Sequence, residues 1–406
     1  MKNFDFKILS LAVLLLAPPI NYYLNTVLQY GLGLPSISKY VYIIIALFGL
    51  HSYRYFNKLD RTSVLLFFFL VFGFLIAAII GGLGLLISSD YNPLESPFLQ
   101  VFLYCVPLYI LTKTCVDFQK TLDYLFYFAF FNLILFIPSY YYSQLYLSAL
   151  NVDYMSVSYN VLVALCICIG VSWNKKKLLP AIIAIASLLL LIVVGSRGAS
   201  FSALMYILLL LIVKYMDGEK KMVLTVIFIT ILLTVSLGGY YFSEVSSLID
   251  SGDLFSRNLY KLDDNSFFSH DDRDEIRKVI ETGLDKNFLG YGLLGDRIIF
   301  QNEHFEGVYA HNMLLEMRAD FGIIVGPILF AVFFVKLVTS FFYLGGLKRD
   351  FLIIMIPAGF IKLWFSGSFL VSPDFYCLLA LLINLKDIRR KRTLNYSNIV
   401  RNDTVI

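Results

Sequence analysis

The sequence predicts an all-α polytopic integral membrane protein with about twelve transmembrane helices and one large extracytoplasmic loop. Of the 406 residues, 59% are hydrophobic and 15% are charged, and the mean hydropathy is +0.75. Soluble domains average about 45–50% apolar and about 25% charged residues. The apolar residues also fall in long runs, and the joints between the runs differ in charge in a regular way. These observations exclude an ordinary soluble domain.

Twelve apolar runs have the length that a membrane-spanning helix needs. A bilayer core of about 30 Å requires about 20 helical residues, because each residue adds about 1.5 Å. The first run follows a basic start, as in a signal peptide, but no small-x-small cleavage site follows it, so it is interpreted as an uncleaved span. The runs are 8–24, 36–53, 63–88, 97–112, 121–143, 155–172, 178–194, 199–215, 222–242, 321–344, 351–368 and 371–385.

Basic residues mark one side of the predicted bundle. They collect in RYFNKLDR, NKKK, KYMDGEKK, GGLKRD and the tail KDIRRKR, and Lys and Arg accumulate in cytoplasmic joints. Twelve spans then leave both termini in the cytoplasm. The lipid bilayer is the predicted partner, and such short scattered clusters argue against nucleic acid. The five cysteines lie mostly inside apolar runs, so neither a disulfide framework nor a zinc site is expected.

One joint is much longer than the others and is the only part that looks soluble. Between Glu244 and Glu306 it holds 14 acidic residues and seven Lys or Arg. Loops longer than about 12–15 residues are usually functional, so chemistry is expected on the extracytoplasmic face. The predicted domains are 1–242 with nine spans, 243–320 as the extracytoplasmic (periplasmic) loop with short helices, 321–386 with three spans, and 387–406 as a cytoplasmic tail.

Arg273 is the first candidate for a binding role. The stretch SHDDRDEIRKVIETGLDKNFLGYG, residues 269–292, predicts a helix that starts at Asp271 or Asp272 and ends near Gly283. Arg273 falls on its apolar face and in its first turn, where the helix dipole disfavours a cation by about 0.3–1 kcal/mol. Because both positions are energetically unfavourable for a cation, Arg273 is expected to have a function. The alternative is that its aliphatic part packs on the apolar face while the guanidinium reaches water. The apolar face consists of Ile276, Val279, Ile280 and Leu284.

Three further cations are candidates. Arg197 lies in VVGSRGAS, at a short outer hairpin between two spans, where positive charge is disfavoured. Lys362 is embedded in an apolar run and could line a cavity with Asp374. Arg277 lies at the edge of the Arg273 face, where it could bind a ligand or pair with Glu281 at i+4.

The fourth histidine of the chain stands where the long loop meets the next apolar run. In YAHNMLLEMRADFGIIVG, residues 309–326, a helix would put His311 on one face with Leu314, Leu315 and Arg318. Asn312, Glu316 and Asp320 would lie on another face, and Gly322 would interrupt the run. His311 is therefore expected at the membrane surface on a short interfacial helix, as a functional residue or as a structural one.

Taken together, these segments resemble a known family. A GSRG hairpin, a large outer loop with an arginine followed by NFLGYG, and then AHN with spaced glycines resemble the O-antigen ligase and Wzy-type polysaccharide polymerase superfamily over about residues 195–330. The family often has a tryptophan shortly after the loop arginine, where Ile276 and Arg277 stand here. Ligases tend to have a small or aromatic residue at the position of Val325, and this difference favours a polymerase.

The resemblance implies a fold like that of GT-C membrane glycosyltransferases, in a bacterial plasma (inner) membrane. It implies an inverting, metal-independent polymerase that joins polyprenyl-diphosphate-linked oligosaccharide repeat units of an O-antigen or capsule and uses no cofactor. A flippase and a chain-length regulator of the same pathway are the implied partners. His311 would be catalytic, and Arg197, Arg273, Arg277 and Lys362 would bind the diphosphate. The supporting residues would be Asn312, Arg318, Gly290 and Gly292.

Three other functions fit the same residues. A ligase of this superfamily would pass the finished glycan to a lipid core or another acceptor. A polytopic transporter or flippase fits the hydropathy, although transporters have paired broken helices and several ionisable residues at mid-membrane depth. A non-catalytic scaffold for envelope assembly would tolerate the loss of any single arginine.

Overall fold

In the computed structural model, all regular secondary structure of the described residues is helical. The structure describes residues 5–35, 37–82, 96–146, 154–175, 177–194, 196–219, 271–307 and 309–382. The predicted all-α class is therefore confirmed for this part of the chain. The main helices are α1 (Phe6–Thr26), α2 (Ser38–Ser52), α3 (Arg61–Gly81), α4 (Pro97–Lys113), α5 (Phe118–Tyr146), α6 (Tyr154–Lys175), α7 (Leu178–Val194), α8 (Arg197–Met216), α9 (Asp271–Lys286), α10 (Gly295–Asn302), α11 (Met313–Tyr343), α12 (Gly346–Ile356) and α13 (Pro373–Leu381).

Eleven of the twelve predicted spans fall on these helices, and the span predicted at 222–242 lies outside the described residues. Among the described residues, four helical stretches are long and apolar enough to cross a membrane: Arg61–Gly81, Phe118–Ser139, Gly198–Met216 and Met313–Tyr343. A fifth is present in this part of the chain if Phe6–Leu16 and Pro19–Gly31, which cover α1 and the π-helix after it, form one span with a bend of 60°. The number of twelve spans stays a prediction.

Burial separates the central helices from the peripheral ones. Residues 161–168 of α6 and residues 351–361, from α12 onward, are buried without interruption, and a helix that is apolar and buried on all sides lies inside a bundle. In contrast, Ile79 of α3 is 83% exposed and Ile324 of α11 is 66% exposed. These two helices have the apolar outer surface that contact with lipid requires.

Ion pairs join the predicted basic joints at one end of the bundle. Arg349 donates two hydrogen bonds to the Asp217 carboxylate, at 2.5 and 2.6 Å, which links GGLKRD to KYMDGEKK. Lys175 of NKKK pairs with Asp123 at the start of α5. The joints GGLKRD and KYMDGEKK, which were assigned to one side by charge, are therefore in contact, while the side of the membrane on which they lie stays a prediction.

Candidate active site

The other end of the bundle is organised around a non-helical segment. After α12 the chain forms a short π-helix at Pro357–Ile361 and a 3-10 turn at Lys362–Trp364. It is then non-helical until α13 begins at Pro373. Residues 365–372 are called the 365–372 segment below. Irregular backbone within an apolar region is tolerated where protein or a water-filled cavity surrounds it, so this segment is a natural place for a site.

Helix α9 reaches the 365–372 segment through Arg273. The Arg273 guanidinium donates a hydrogen bond of 3.1 Å to the Phe365 carbonyl oxygen. The predicted apolar face of α9 is confirmed, since Ile276, Ile280 and Leu284 are buried against α10. Arg273 therefore points inward with the apolar residues, and its remaining N–H groups can still bind an anion.

The end of α9 differs from the prediction. The helix runs to Lys286 rather than ending near Gly283. A Cβ at Gly283 would come within 2.6 Å of the Ile299 side chain of α10. Gly283 therefore allows two helices to approach closely instead of terminating one of them.

The start of α8 also lies against the 365–372 segment. Arg197 is the first residue of α8, and Ser196 caps the helix. A Cβ at Gly198 would be 2.3 Å from the Tyr159 hydroxyl oxygen and 2.8 Å from the Phe365 Cβ, and the rings of Phe201 and Phe365 make an edge contact at 5.6 Å. The N-terminal end of α8 is thus brought to the same residue that Arg273 contacts.

Lys362 completes a group of cationic elements around Phe365. Its Nζ lies 5.2 Å from the centre of the Tyr159 ring, a cation–π distance. Asp374 is 7% exposed and interacts electrostatically with Lys362, and the cavity that the two residues would line stays a prediction. Three sequence candidates, Arg197, Arg273 and Lys362, therefore belong to elements that meet at Phe365 and Tyr159.

The interfacial helix that was predicted to carry His311 begins later than expected. Helix α11 starts at Met313, with Asn312 as its N-cap, and the Asn312 side chain accepts hydrogen bonds from the N–H groups of Leu314 and Leu315. Asparagine is one of the preferred residues at the N-cap position, so the helix begins directly after Asn312. His311 precedes the helix with a φ of 55°, so it does not share a helical face with Arg318.

His311 is held by its neighbours. Its ring lies 4.2 Å from the Tyr309 ring, centre to centre. The buried Asp296 carboxylate of α10 accepts a 2.8 Å hydrogen bond from the Ala310 N–H. Burial raises the pKa of the Asp296 carboxyl, while Arg297 and the Ala310 N–H act in the opposite direction. The histidine is therefore fixed between an anchored N–H and a helix cap.

The GYG turn, residues 290–292, has a structural role. The predicted interruption at Gly322 is confirmed, with φ 87° and ψ 172°. The break leaves backbone groups of α11 without a partner inside the helix, and buried backbone groups need one. The chain at the turn provides it: the Gly292 N–H donates to the Asp320 carbonyl of α11 at 2.9 Å, and the Phe288 carbonyl accepts from the Ile323 N–H of α11 at 3.0 Å. The supporting residue Gly290 lies where a Cβ would be 2.4 Å from the Gly322 nitrogen.

Replacing Gly290 with alanine should therefore destabilise the protein strongly. Gly290 has a φ of 83°, and a left-handed conformation costs a non-glycine residue about 1–2 kcal/mol before any steric clash is added. Gly33 is the matched control, since its φ is 63° and nothing lies within 4 Å of its added Cβ. The thermal unfolding midpoint in detergent should fall further for Gly290→Ala than for Gly33→Ala. Equal shifts would show that the turn is not tightly docked.

Two other sequence candidates lie apart from this group. The Arg277 side chain is 66% exposed and pairs with Glu281 at 2.9 Å, which confirms the i+4 pair. Arg318 is half-buried on α11, and within the described part of the chain it forms no ion pair. Neither residue is brought to Phe365 by a contact in the structure.

Several residues of the site were missed by sequence reasoning. Phe365, Tyr159 and Asp296 were not singled out, and Glu316 was only assigned to a helical face. Asp296 and Glu316 are in fact 1% and 2% exposed. The useful signal was the spacing of Asn312, Glu316 and Asp320 on one helical face, because a polar stripe beside a membrane requires partners in the protein.

Comparisons of the chain with protein-family models, with curated proteins and with solved structures found no match. Among the residues that the structure describes, no three His, Cys, Asp or Glu side chains are grouped closely enough to hold a metal ion. Metal-independent chemistry stays a prediction.

Proposed function

We propose that the protein is a membrane glycosyltransferase that polymerises polyprenyl-diphosphate-linked oligosaccharide repeat units on the extracytoplasmic face of a bacterial plasma membrane. The observation that carries the proposal is the hydrogen bond from Arg273 to the Phe365 carbonyl. It brings a guanidinium from an extramembrane helix to the rim of the bundle, beside the start of α8 and Lys362. The resemblance of the GSRG, NFLGYG and AHN segments supports the same function.

The cations suit the leaving group of this reaction. As the bond between the anomeric carbon and the phosphate oxygen breaks, negative charge gathers on the diphosphate. Guanidinium groups match phosphate oxygens with two parallel hydrogen bonds, and preorganised cations stabilise developing charge without reorganisation. In this proposal Arg273 and Arg197 bind the diphosphate, and Lys362 adds a point charge.

His311 serves the acceptor. A ring nitrogen takes the proton of the attacking sugar hydroxyl, the hydroxyl oxygen forms a bond to the anomeric carbon, and the polyprenyl diphosphate leaves with the electron pair of the broken bond. Attack opposite the leaving group inverts the anomeric centre. A near-neutral imidazole is suited to this role, and such a base contributes about 10²–10⁴-fold.

Glycan length in a strain that lacks the protein tests the polymerase proposal. The expected result is an acceptor that carries one repeat unit, because transfer continues while elongation stops. Long glycan that remains on the polyprenyl carrier would instead identify a ligase. Unchanged long glycan on the acceptor would contradict both functions and leave a transporter or a scaffold.

A further inference from the structure

Glu316 joins the two halves of the proposed site, the acceptor side at His311 and the donor side at Phe365. It lies in the first turns of α11, four residues after the cap Asn312, and is 2% exposed. One carboxylate oxygen accepts a hydrogen bond from the Ser368 hydroxyl, and the other accepts a 3.0 Å hydrogen bond from the Phe369 N–H. The carboxylate thereby bridges α11 and the 365–372 segment.

Other contacts also join α11 to the chain around this segment, since Phe330 packs against Trp364 and Phe333 packs against Phe375, and Glu316 adds hydrogen bonds to the segment itself. On the acceptor side, Asn312 caps α11 directly after His311. On the donor side, the carbonyl of Phe365 holds Arg273. Ser368 and Phe369 lie only three and four residues after Phe365, so the bonds of Glu316 restrain the same short segment that receives Arg273.

Burying this carboxylate is costly unless hydrogen bonds compensate it. Glu316 also interacts electrostatically with Asp296, Asp320 and Arg297, so its environment contains two further acidic groups as well as a cation. A hydrophobic residue could fill the same space without these electrostatic costs. A buried acid whose two oxygens accept from a hydroxyl and a backbone N–H is therefore better explained by the geometry that it fixes than by stability.

We infer that Glu316 is a positioning residue that fixes the separation between the acceptor-side imidazole of His311 and the donor-side cations around Phe365. This inference rests on the proposed function. A shift of about 1 Å in a reacting group can cost about 10²-fold in rate, so a bridge between the two sides would have a large effect without contact with the substrate.

Two substitutions separate geometry from charge. Glu316→Gln keeps both bonds, because its amide oxygen can accept from the Phe369 N–H and its amide N–H can donate to the Ser368 hydroxyl. Glu316→Ala removes both. Glycan elongation by the purified full-length protein should keep its rate within about threefold in Glu316→Gln and lose about 10- to 100-fold in kcat in Glu316→Ala, with the KM for the lipid-linked donor changing much less.

Hydrogen–deuterium exchange gives a readout that does not depend on function. The Phe369 amide should be protected in the wild type and in Glu316→Gln, and peptides covering residues 365–372 should exchange faster in Glu316→Ala. Unchanged exchange in Glu316→Ala would overturn the inference, and so would faster exchange with normal elongation. Loss of elongation in Glu316→Gln with normal exchange would also overturn it, since the acid itself would then be required. A wild type that elongates no glycan would overturn the proposed function, while the exchange result would still report on the bridge.

Discussion

Replacing Arg273 with alanine should stop glycan elongation, so that single lipid-linked repeat units accumulate. This is the largest functional effect that we expect. Arg273 is the residue through which helix α9 contacts the Phe365 carbonyl. In the proposed function its loss removes a guanidinium that binds the departing diphosphate, and hydrogen bonds to charged groups are worth about 1.5–3 kcal/mol each. Arg273→Lys should retain part of the activity, because lysine supplies a charge without the planar fork. The measurement is the glycan ladder of a strain complemented with each variant.

Lys278→Ala is the matched control for Arg273. It removes a cation from the same helix, five residues further on, where the side chain is exposed. It should leave the ladder unchanged, whereas a general loss of positive charge on α9 would affect both variants alike. A normal ladder from Arg273→Ala, with the protein inserted at wild-type level, would refute the role of this residue.

His311→Asn should lower turnover by about 10²–10⁴-fold, the usual contribution of a general base. Asparagine is the replacement of choice because His311 has a φ of 55°, and asparagine tolerates this conformation better than alanine does. The side chain can still form hydrogen bonds but cannot take a proton near neutral pH. Binding of the lipid-linked donor should be retained, because the proposal assigns the histidine to the acceptor hydroxyl and not to the donor.

His304→Asn provides the comparison for His311. His304 is exposed and has a similar φ of 52°, so the same substitution imposes a similar backbone constraint away from the site. Kinetics of the purified variants should show a loss of kcat in His311→Asn alone. Weakened donor binding in His311→Asn would mark the histidine as a phosphate contact rather than a base.

Hydropathy and charge were sufficient to predict the all-α class and the approximate positions of the apolar helices in the described part of the chain. A run of 20 apolar residues has few alternatives in a bilayer, because its backbone groups must bond to each other. The same reasoning did not resolve residues 357–372, where an apolar sequence gives a short π-helix, a 3-10 turn and an irregular segment instead of a continuous helix. Periodicity carries no information about such interruptions.

For the site, local arguments worked where the cost of a residue could be estimated from the sequence. Arg273 was identified because a cation on an apolar face in a first helical turn is unfavourable, and it is indeed turned inward. His311 was assigned to the wrong backbone conformation, because the N-cap preference of Asn312 was not weighed against helical continuity. The polar face with Glu316 was visible in the sequence, but the partners of Glu316 and Phe365 could not be identified in advance, since they lie 52 to 92 residues away along the chain.

Binding of a short-chain polyprenyl diphosphate to the purified protein tests most directly whether the cations around Phe365 form a diphosphate site. The proposal predicts that Arg273→Ala weakens this binding about 10- to 100-fold, while Lys278→Ala leaves it at the wild-type affinity and the uncharged polyprenol binds all three proteins equally. Equal affinity of the wild type and Arg273→Ala for the diphosphate would contradict the proposed site.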